Sequence, residues 1–290
     1  MKFRALILEQ PAMRDFLTVA ISLSKFSKEC VMRLTQRRLY FIISEDDFGP
    51  RKPLVWCELP IHFYFNEYNV VGVNDEYNEI YLEFSTSLLS NSLSVLKQNC
   101  KSLKLKLTNK ESPCLTLEID LLATEMINRH CVYDIPVEVI GRKHWSSYKQ
   151  PQYDDFHVTI EMPCMKSIKN IVERMKSISQ SITVSANKSG RLTLQILTTA
   201  VTLSAHFPDL SVQSFAGGHV VTHHTNNDED EENEVVCCTI DIKKFLMFLT
   251  GMQLNNCRAI CSIVHEKMVK LRMEQPGAMI LEIYLPEMSL

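Results

Sequence analysis

Long apolar runs are missing from this 290-residue chain: no stretch approaches the roughly 18–20 residues that a membrane-spanning helix needs. The opening MKFRALILEQ has too short an apolar run for a signal peptide and continues straight into an amphipathic segment. A soluble, intracellular protein without a membrane partner is expected. Paired cysteines are missing as well. The ten cysteines are scattered, with no CxxC pair, and Cys257 and Cys261 lack a matching second pair. Most sit in apolar runs, such as Cys57 in VWCEL, Cys114 in PCLTL, and Cys237 and Cys238 in VVCCTI, where they read as reduced core residues. His223 and His224 with Cys237 and Cys238 have the right residue types for zinc, but their spacing fits no structural zinc pattern, so no metal is expected. The catalytic signatures GxSxG, GxxxxGK[ST], HExxH and GxGxxG are all absent. His144, His206 and His265 fall near strand or loop ends and read as structural or solvated. Neither enzymatic activity nor a cofactor is expected.

What the chain does contain is one pattern used four times. Runs with period-two alternation dominate, as in SLKLKLTN, where Leu103, Leu105 and Leu107 oppose Lys104, Lys106 and Thr108. Helix-like runs interrupt these strands four times, each after one strand and before three. The four helices are read over 11–29, 86–99, 163–178 and 241–254. The result is a βαβββ unit in four copies, grouped as two domains, 1–140 and 156–290. Between them the polar stretch 141–155, with Gly141 and Pro151 as breakers, reads as the connector. The acidic run Asp228 to Glu232 lies within a segment spanning about 215–234. It reads as a mobile surface loop, with a docking site for a basic partner as the alternative.

Each helix is one-sided. In 163–178, Ile168, Ile171, Val172, Met175 and Ile178 oppose Lys166, Lys169 and Lys176. In the first helix, Met13, Phe16, Leu17, Ala20 and Ser24 oppose Arg14, Thr18, Ser22 and Lys25; in the fourth, Phe245, Phe248, Leu249 and Met252 oppose Lys243 and Lys244. The second is polar outside, with Ser90, Asn91, Ser94 and Lys97. Over the four ranges, Arg14, Lys25, Lys28, Lys97, Lys166, Lys169, Arg174, Lys176, Lys243 and Lys244 stand against Asp15, Glu29, Glu173 and Asp241. That is +6 on the helices of a chain whose net charge is -3, leaving -9 elsewhere. One lysine-faced helix is ordinary solvation. Segregation repeated across four helices reads as a positive surface that attracts phosphate without base contacts. Phe and Tyr fall on apolar faces rather than between the lysines, which argues against single-strand stacking.

Two domains of doubled βαβββ units, α+β with helices on one face of antiparallel sheets, resemble the DNA sliding-clamp fold. Specific stretches narrow the resemblance: MKFRA at 1–5, WCEL at 56–59, NEIYLE at 78–83, LKLTNK at 105–110, PCLT at 113–116, DIPV at 134–137, RKHW at 142–145 and KMV at 267–269. These are similar to the Hus-one-like subunits of the checkpoint, or nine-one-one, clamp, over Met1 to about Pro286. The resemblance implies one third of a heterotrimeric ring with Rad-nine-like and Rad-one-like partners. A clamp loader would place the ring on double-stranded DNA at damage sites, in the nucleus, with the cytoplasm as a second location. It would support DNA-damage checkpoint signalling in the cell cycle and serve DNA repair enzymes as a platform. The family's channel cations map onto Lys25, Arg174, Lys176, Lys243 and Lys244, and the helix pattern adds Lys97, Lys166 and Lys169. At Lys97 this chain is one residue longer than the family pattern, and the acidic loop 226–234 also departs from it.

Three other readings follow from the same residues. One is a homotrimeric replication clamp, another an enzyme with a Cys–His site, and the third a protein-only scaffold. For a ring, the expected open sheet edges are SLKLKLTN in the first domain and AVTLSAHF or its neighbour in the second.

Overall fold

The computed structural model describes residues 1–45, 52–122, 129–153, 155–216, 234–251 and 257–288. They form two compact units: Met1–Pro151 with Gly251–Asn255 and Gln275–Leu281, and Gln152–Thr250 with Asn256–Glu274 and Glu282–Leu290.

The first unit runs β1 (Lys2–Ile7), α1 (Gln10–Phe26), β2 (Glu29–Leu34), β3 (Arg38–Glu45), β4 (Lys52–Pro60), a one-turn α2 (Ile61–Tyr64), β5 (Glu67–Val71), β6 (Ile80–Ser85), α3 (Thr86–Leu93), a 3-10 turn (Ser94–Lys97), β7 (Cys100–Asn109), β8 (Pro113–Leu121) and β9 (Arg129–Val139). Its strands lie in the order β4-β3-β2-β6-β9-β8-β7-β1-β5. The long β9 joins the two halves, pairing with β6 through Val137–Val139 and with β8 through Arg129–Pro136. One face of this sheet carries the core. Phe16 of α1 packs on Phe41 of β3, and Phe41 on Phe84 of β6, with ring centroids 6.2 Å apart in both pairs. The opposite face carries a row across neighbouring strands: Trp56, Tyr40, Arg33 and Tyr81. Trp145, from a 3-10 segment Arg142–Tyr148, stacks on Tyr81 at 4.6 Å and donates its indole N–H to the Ile140 carbonyl at 3.0 Å. The start of the polar connector is thus held by a buried aromatic.

The second unit runs β10 (Val158–Glu161), α4 (Met165–Met175), β11 (Ser181–Asn187), β12 (Leu192–Leu197), β13 (Thr202–Phe207), β14 (Val212–Phe215), β15 (Val235–Asp241), α5 (Ile242–Gly251), β16 (Arg258–Val264), β17 (Met268–Gln275) and β18 (Met279–Pro286). Its strands follow the orders β14-β10-β16-β17-β18 and β13-β12-β11-β15. The βαβββ pattern is therefore present four times, as β1-α1-β2-β3-β4, β6-α3-β7-β8-β9, β10-α4-β11-β12-β13 and β15-α5-β16-β17-β18.

Several expectations are corrected. Strands β5 and β14 were not foreseen, because each buries too little to alternate: Val70 alone is buried in β5, and no residue of β14 is. The second helix is α-helical for eight residues and then tightens into the 3-10 turn. Helix α4 ends at Met175, so Ile178 leaves the apolar face and is 46% exposed. Ser22, assigned to the outer face of α1, is buried; its hydroxyl donates to the Thr18 carbonyl at 2.7 Å, one turn back, which masks its polarity. Strand β7, expected at an edge, lies between β1 and β8 and is paired on both sides. Strand β13 does end its sheet. Met252, His223, His224 and the acidic run Asp228–Glu232 lie outside the described residues.

Candidate nucleic-acid interface

Helix α4 buries Ile168, Val172 and Met175, at spacings of four and three, each no more than 1% exposed. Those three side chains fix which way the helix turns. The remaining arc carries Lys166, Lys169, Glu173 and Lys176 at spacings of three, four and three, which align them along one stripe. Lys166, Arg174 and Lys176 are exposed, and Lys176 is the C-cap residue. Lys169 is half-buried, with its ammonium 3.7 Å from the Glu173 carboxylate. Lys25 is exposed in the last turn of α1, and Lys97 is exposed at the end of the 3-10 turn. In α5, Lys243 is exposed and Lys244 half-buried. The backbone N–H groups of both donate to the Asp241 carboxylate, at 2.7 and 3.2 Å, so that acid is spent on capping. The helical segments α1, α3, α4, α5 and the 3-10 turn after α3 hold eight basic residues against Asp15 and Glu173, again +6.

Four lysines on or beside the strands are held differently. Lys104 and Lys106 reach Glu118 at 3.3 and 2.7 Å, Lys110 reaches Asp134 at 2.6 Å, and Lys270 reaches the buried Glu282 at 2.8 Å. The hydrogen bond from Lys106 holds the Glu118 carboxyl below the usual range, and that from Lys110 does the same for Asp134. By contrast, Lys97, Lys166, Arg174, Lys176 and Lys243 make no ion pair among the described residues. Those four lysines are paired within the sheets, although Lys2 and Lys101 on other strand positions are not, and the five helix cations are left uncompensated among the described residues.

Lys25, Arg174 and Lys176 sit at C-terminal helix ends, where the macrodipole favours a cation, but Lys166 does not. Lys166 sits in the first turn of α4, where the macrodipole disfavours a cation, and that turn holds no acid. Helix stability does not account for a lysine there.

One Cys–His pair comes together, Cys237 Sγ and His265 Nδ1 at 3.8 Å, but that nitrogen already accepts the Cys237 N–H at 3.1 Å. Burial, with Glu266 and Glu287 nearby, pushes the Cys237 thiol up, away from a nucleophilic thiolate. His144 and His206 are exposed, and His206 meets Thr193 at 3.0 Å. Among the described residues no cluster of three His, Cys, Asp or Glu could hold a metal. Cys57, Cys114 and Cys238 are buried free thiols, as expected, whereas Cys164 is exposed at the N-cap of α4. The N–H groups of Ser167 and Lys166 draw its thiol below the ordinary value, a feature that scattered placement in the sequence did not reveal.

The architecture is that of a sliding clamp. It is similar to the Proliferating Cellular Nuclear Antigen of Entamoeba histolytica, with TM-score 0.69 and 14% identity over 99% of both chains. A second likeness is to PCNA of Thermococcus kodakaraensis, with TM-score 0.64 and 15% identity over 98% of this chain and 99% of that one. Within that fold the chain belongs to the Hus1-like protein family, whose model matches residues 1–289. It is 37% identical to Checkpoint protein HUS1 of Homo sapiens over 289 residues, covering 100% of both chains. It is 28% identical to Checkpoint protein Hus1-like of Drosophila melanogaster over 288 residues, 99% of both.

Proposed function

We propose that this protein is a non-enzymatic subunit of a heterotrimeric ring clamp that encircles duplex DNA at damage sites. Rad-nine-like and Rad-one-like subunits complete the ring, and a clamp loader places it. The clamp supports checkpoint signalling and offers repair enzymes a platform, in the nucleus. The observation that supports this reading is a contrast in pairing: Lys104, Lys106, Lys110 and Lys270 reach carboxylates, while Lys97, Lys166, Arg174, Lys176 and Lys243 make no ion pair among the described residues. In the proposed ring, Lys25, Lys97, Lys166, Lys169, Arg174, Lys176, Lys243 and Lys244 line the hole, with 1–140 and 156–290 as its two clamp domains and 141–155 as the connector. Diffuse lysine–phosphate attraction holds DNA without register, so the ring slides; bidentate base contacts would pin it.

The joints between subunits belong to unpaired edges. β13 ends its sheet and exposes Leu203, while the neighbouring Leu197 and Val201 are 74% and 47% exposed. In β9 the stretch Arg129–Pro136 pairs with β8, and Val132 on it is 50% exposed. Co-expression with the two partner subunits is expected to give a 1:1:1 complex of roughly three times the 33.4 kDa chain. A self-trimer of this chain as the stable species would overturn the heterotrimer and favour the homotrimeric replication clamp.

A further inference from the structure

Glu173 sits in the middle of the basic stripe of α4. It lies four residues after Lys169 and three before Lys176. Among the described residues of α1, α3, α4 and α5 there are two acids: Asp15, half-buried, and Glu173, whose side chain is 48% exposed. Glu173 is therefore the one well-exposed acid on these four helices among the described residues. Helix stability explains it only in part: Glu173 before Lys176 is a favourable i, i+3 pair, but its other contributions are weaker. The other pair runs Lys169 to Glu173, the less favourable order for an i, i+4 pair, and an acid in the C-terminal half opposes the macrodipole. Capping does not account for it: the cap of α4 is made by backbone, with the Lys176 N–H donating to Val172 O at 2.9 Å.

We propose that Glu173 is an electrostatic brake on DNA binding. It occupies the Lys169 ammonium and places a fixed negative charge among Lys166, Arg174 and Lys176, so that α4 attracts phosphate more weakly than its lysines allow. In a ring that holds DNA by topology, excess attraction slows sliding, and one carboxylate within the stripe trims it. This inference rests on the DNA-facing reading of α4.

The test uses the assembled ring carrying Glu173→Gln, with duplex DNA titrated across a salt series. Freeing one lysine is worth one phosphate contact, so the slope of log affinity against log salt steepens by roughly 0.9, and affinity at 0.1 M salt rises by up to about eightfold. Lys169→Ala then weakens binding more in the Glu173→Gln background than alone, and the melting temperature stays unchanged. If Glu173→Gln leaves affinity and slope unmoved while Lys166→Ala and Lys176→Ala lower both, the brake is overturned and the channel reading stands. If none of these substitutions changes binding, both are overturned. A fall in melting temperature without a gain in affinity assigns Glu173 a structural role and overturns the brake.

Discussion

Replacing Lys166, Lys169 and Lys176 by alanine tests the interface at its centre. Each lost phosphate contact removes roughly 0.9 from the salt slope, equivalent to about eightfold in affinity at 0.1 M salt. The three do not contribute equally. Lys166 and Lys176 have no ion pair among the described residues, while Lys169 is 3.7 Å from Glu173. Two full contacts are therefore at stake, a slope loss of roughly 1.8 and a fall of about 60-fold at 0.1 M salt, similar for every DNA sequence. Folding is expected to change by under about 0.5 kcal/mol, as for other exposed substitutions. Adding Lys243→Ala and Lys244→Ala should deepen the loss. The control is Lys104→Ala with Lys106→Ala. Those side chains already spend their charge on Glu118, at 3.3 and 2.7 Å, so DNA affinity should hold. Fluorescence anisotropy of the assembled ring on labelled duplex, across a salt series, separates the two sets. Equal weakening by the sheet pair would refute the argument, because charge pairing would then not distinguish the DNA-facing surface.

Three further outcomes are expected. Ile168→Ala should cost about 2–5 kcal/mol by chemical denaturation, since the side chain is fully buried, whereas Ile178→Ala, at a site 46% exposed, should cost under about 1 kcal/mol. Acid should weaken the first unit. The carboxyls of Glu118, Asp120 and Asp134 are held low in the fold by Lys106, His130 and Lys110 respectively, so their contribution is present above the unfolded values of about 3.9–4.3 and is lost as pH falls through the lower folded ones. Trp56 and Trp145 both lie in that unit and report its urea midpoint between about pH 5 and 3; Lys106→Met should flatten the dependence. Cys164 should alkylate faster and at lower pH than the other cysteines, read by mass spectrometry of labelled peptides, and Cys164→Ser should leave DNA binding intact.

Burial periodicity made much of this fold readable in advance. The alternation of Leu103 and Leu105 and the spacing of Ile168, Val172 and Met175 each reflect side chains buried on one face, and those positions are core, whereas Leu107, the third member of its run, is only half-buried. Where burial is slight, the pattern fails. β5 and β14 are surface strands with almost nothing to alternate. Ser22 misleads for the opposite reason, since its own helix satisfies the hydroxyl and lets it be buried. Edge position was not legible because pairing partners are distant in sequence. β7 meets β1 through Lys106 and Arg4, residues that no local pattern connects.

The same limit applies to charge, and there it matters most for function. From sequence, Lys104 and Lys166 are alike: each is the polar member of an amphipathic run. The register that sets Lys104 opposite Glu118 decides their difference, and it brings together residues fourteen apart on adjacent strands. On a sheet such cross-strand neighbours are available, and pairing them stabilises the ladder by roughly 0.2–1 kcal/mol each. A lysine on the outer arc of a helix has as neighbours the residues three and four along the same helix. In α4 those positions set Lys166 against Lys169 and place Glu173 four from Lys169 and three from Lys176, so Lys166 has a cation and no acid at those spacings, and the helix is held by Ile168, Val172 and Met175 beneath it. In the proposed ring, a partner outside the chain supplies the charge that Lys166 lacks within it. A polyphosphate backbone supplies it at every register, which is the property a sliding ring requires.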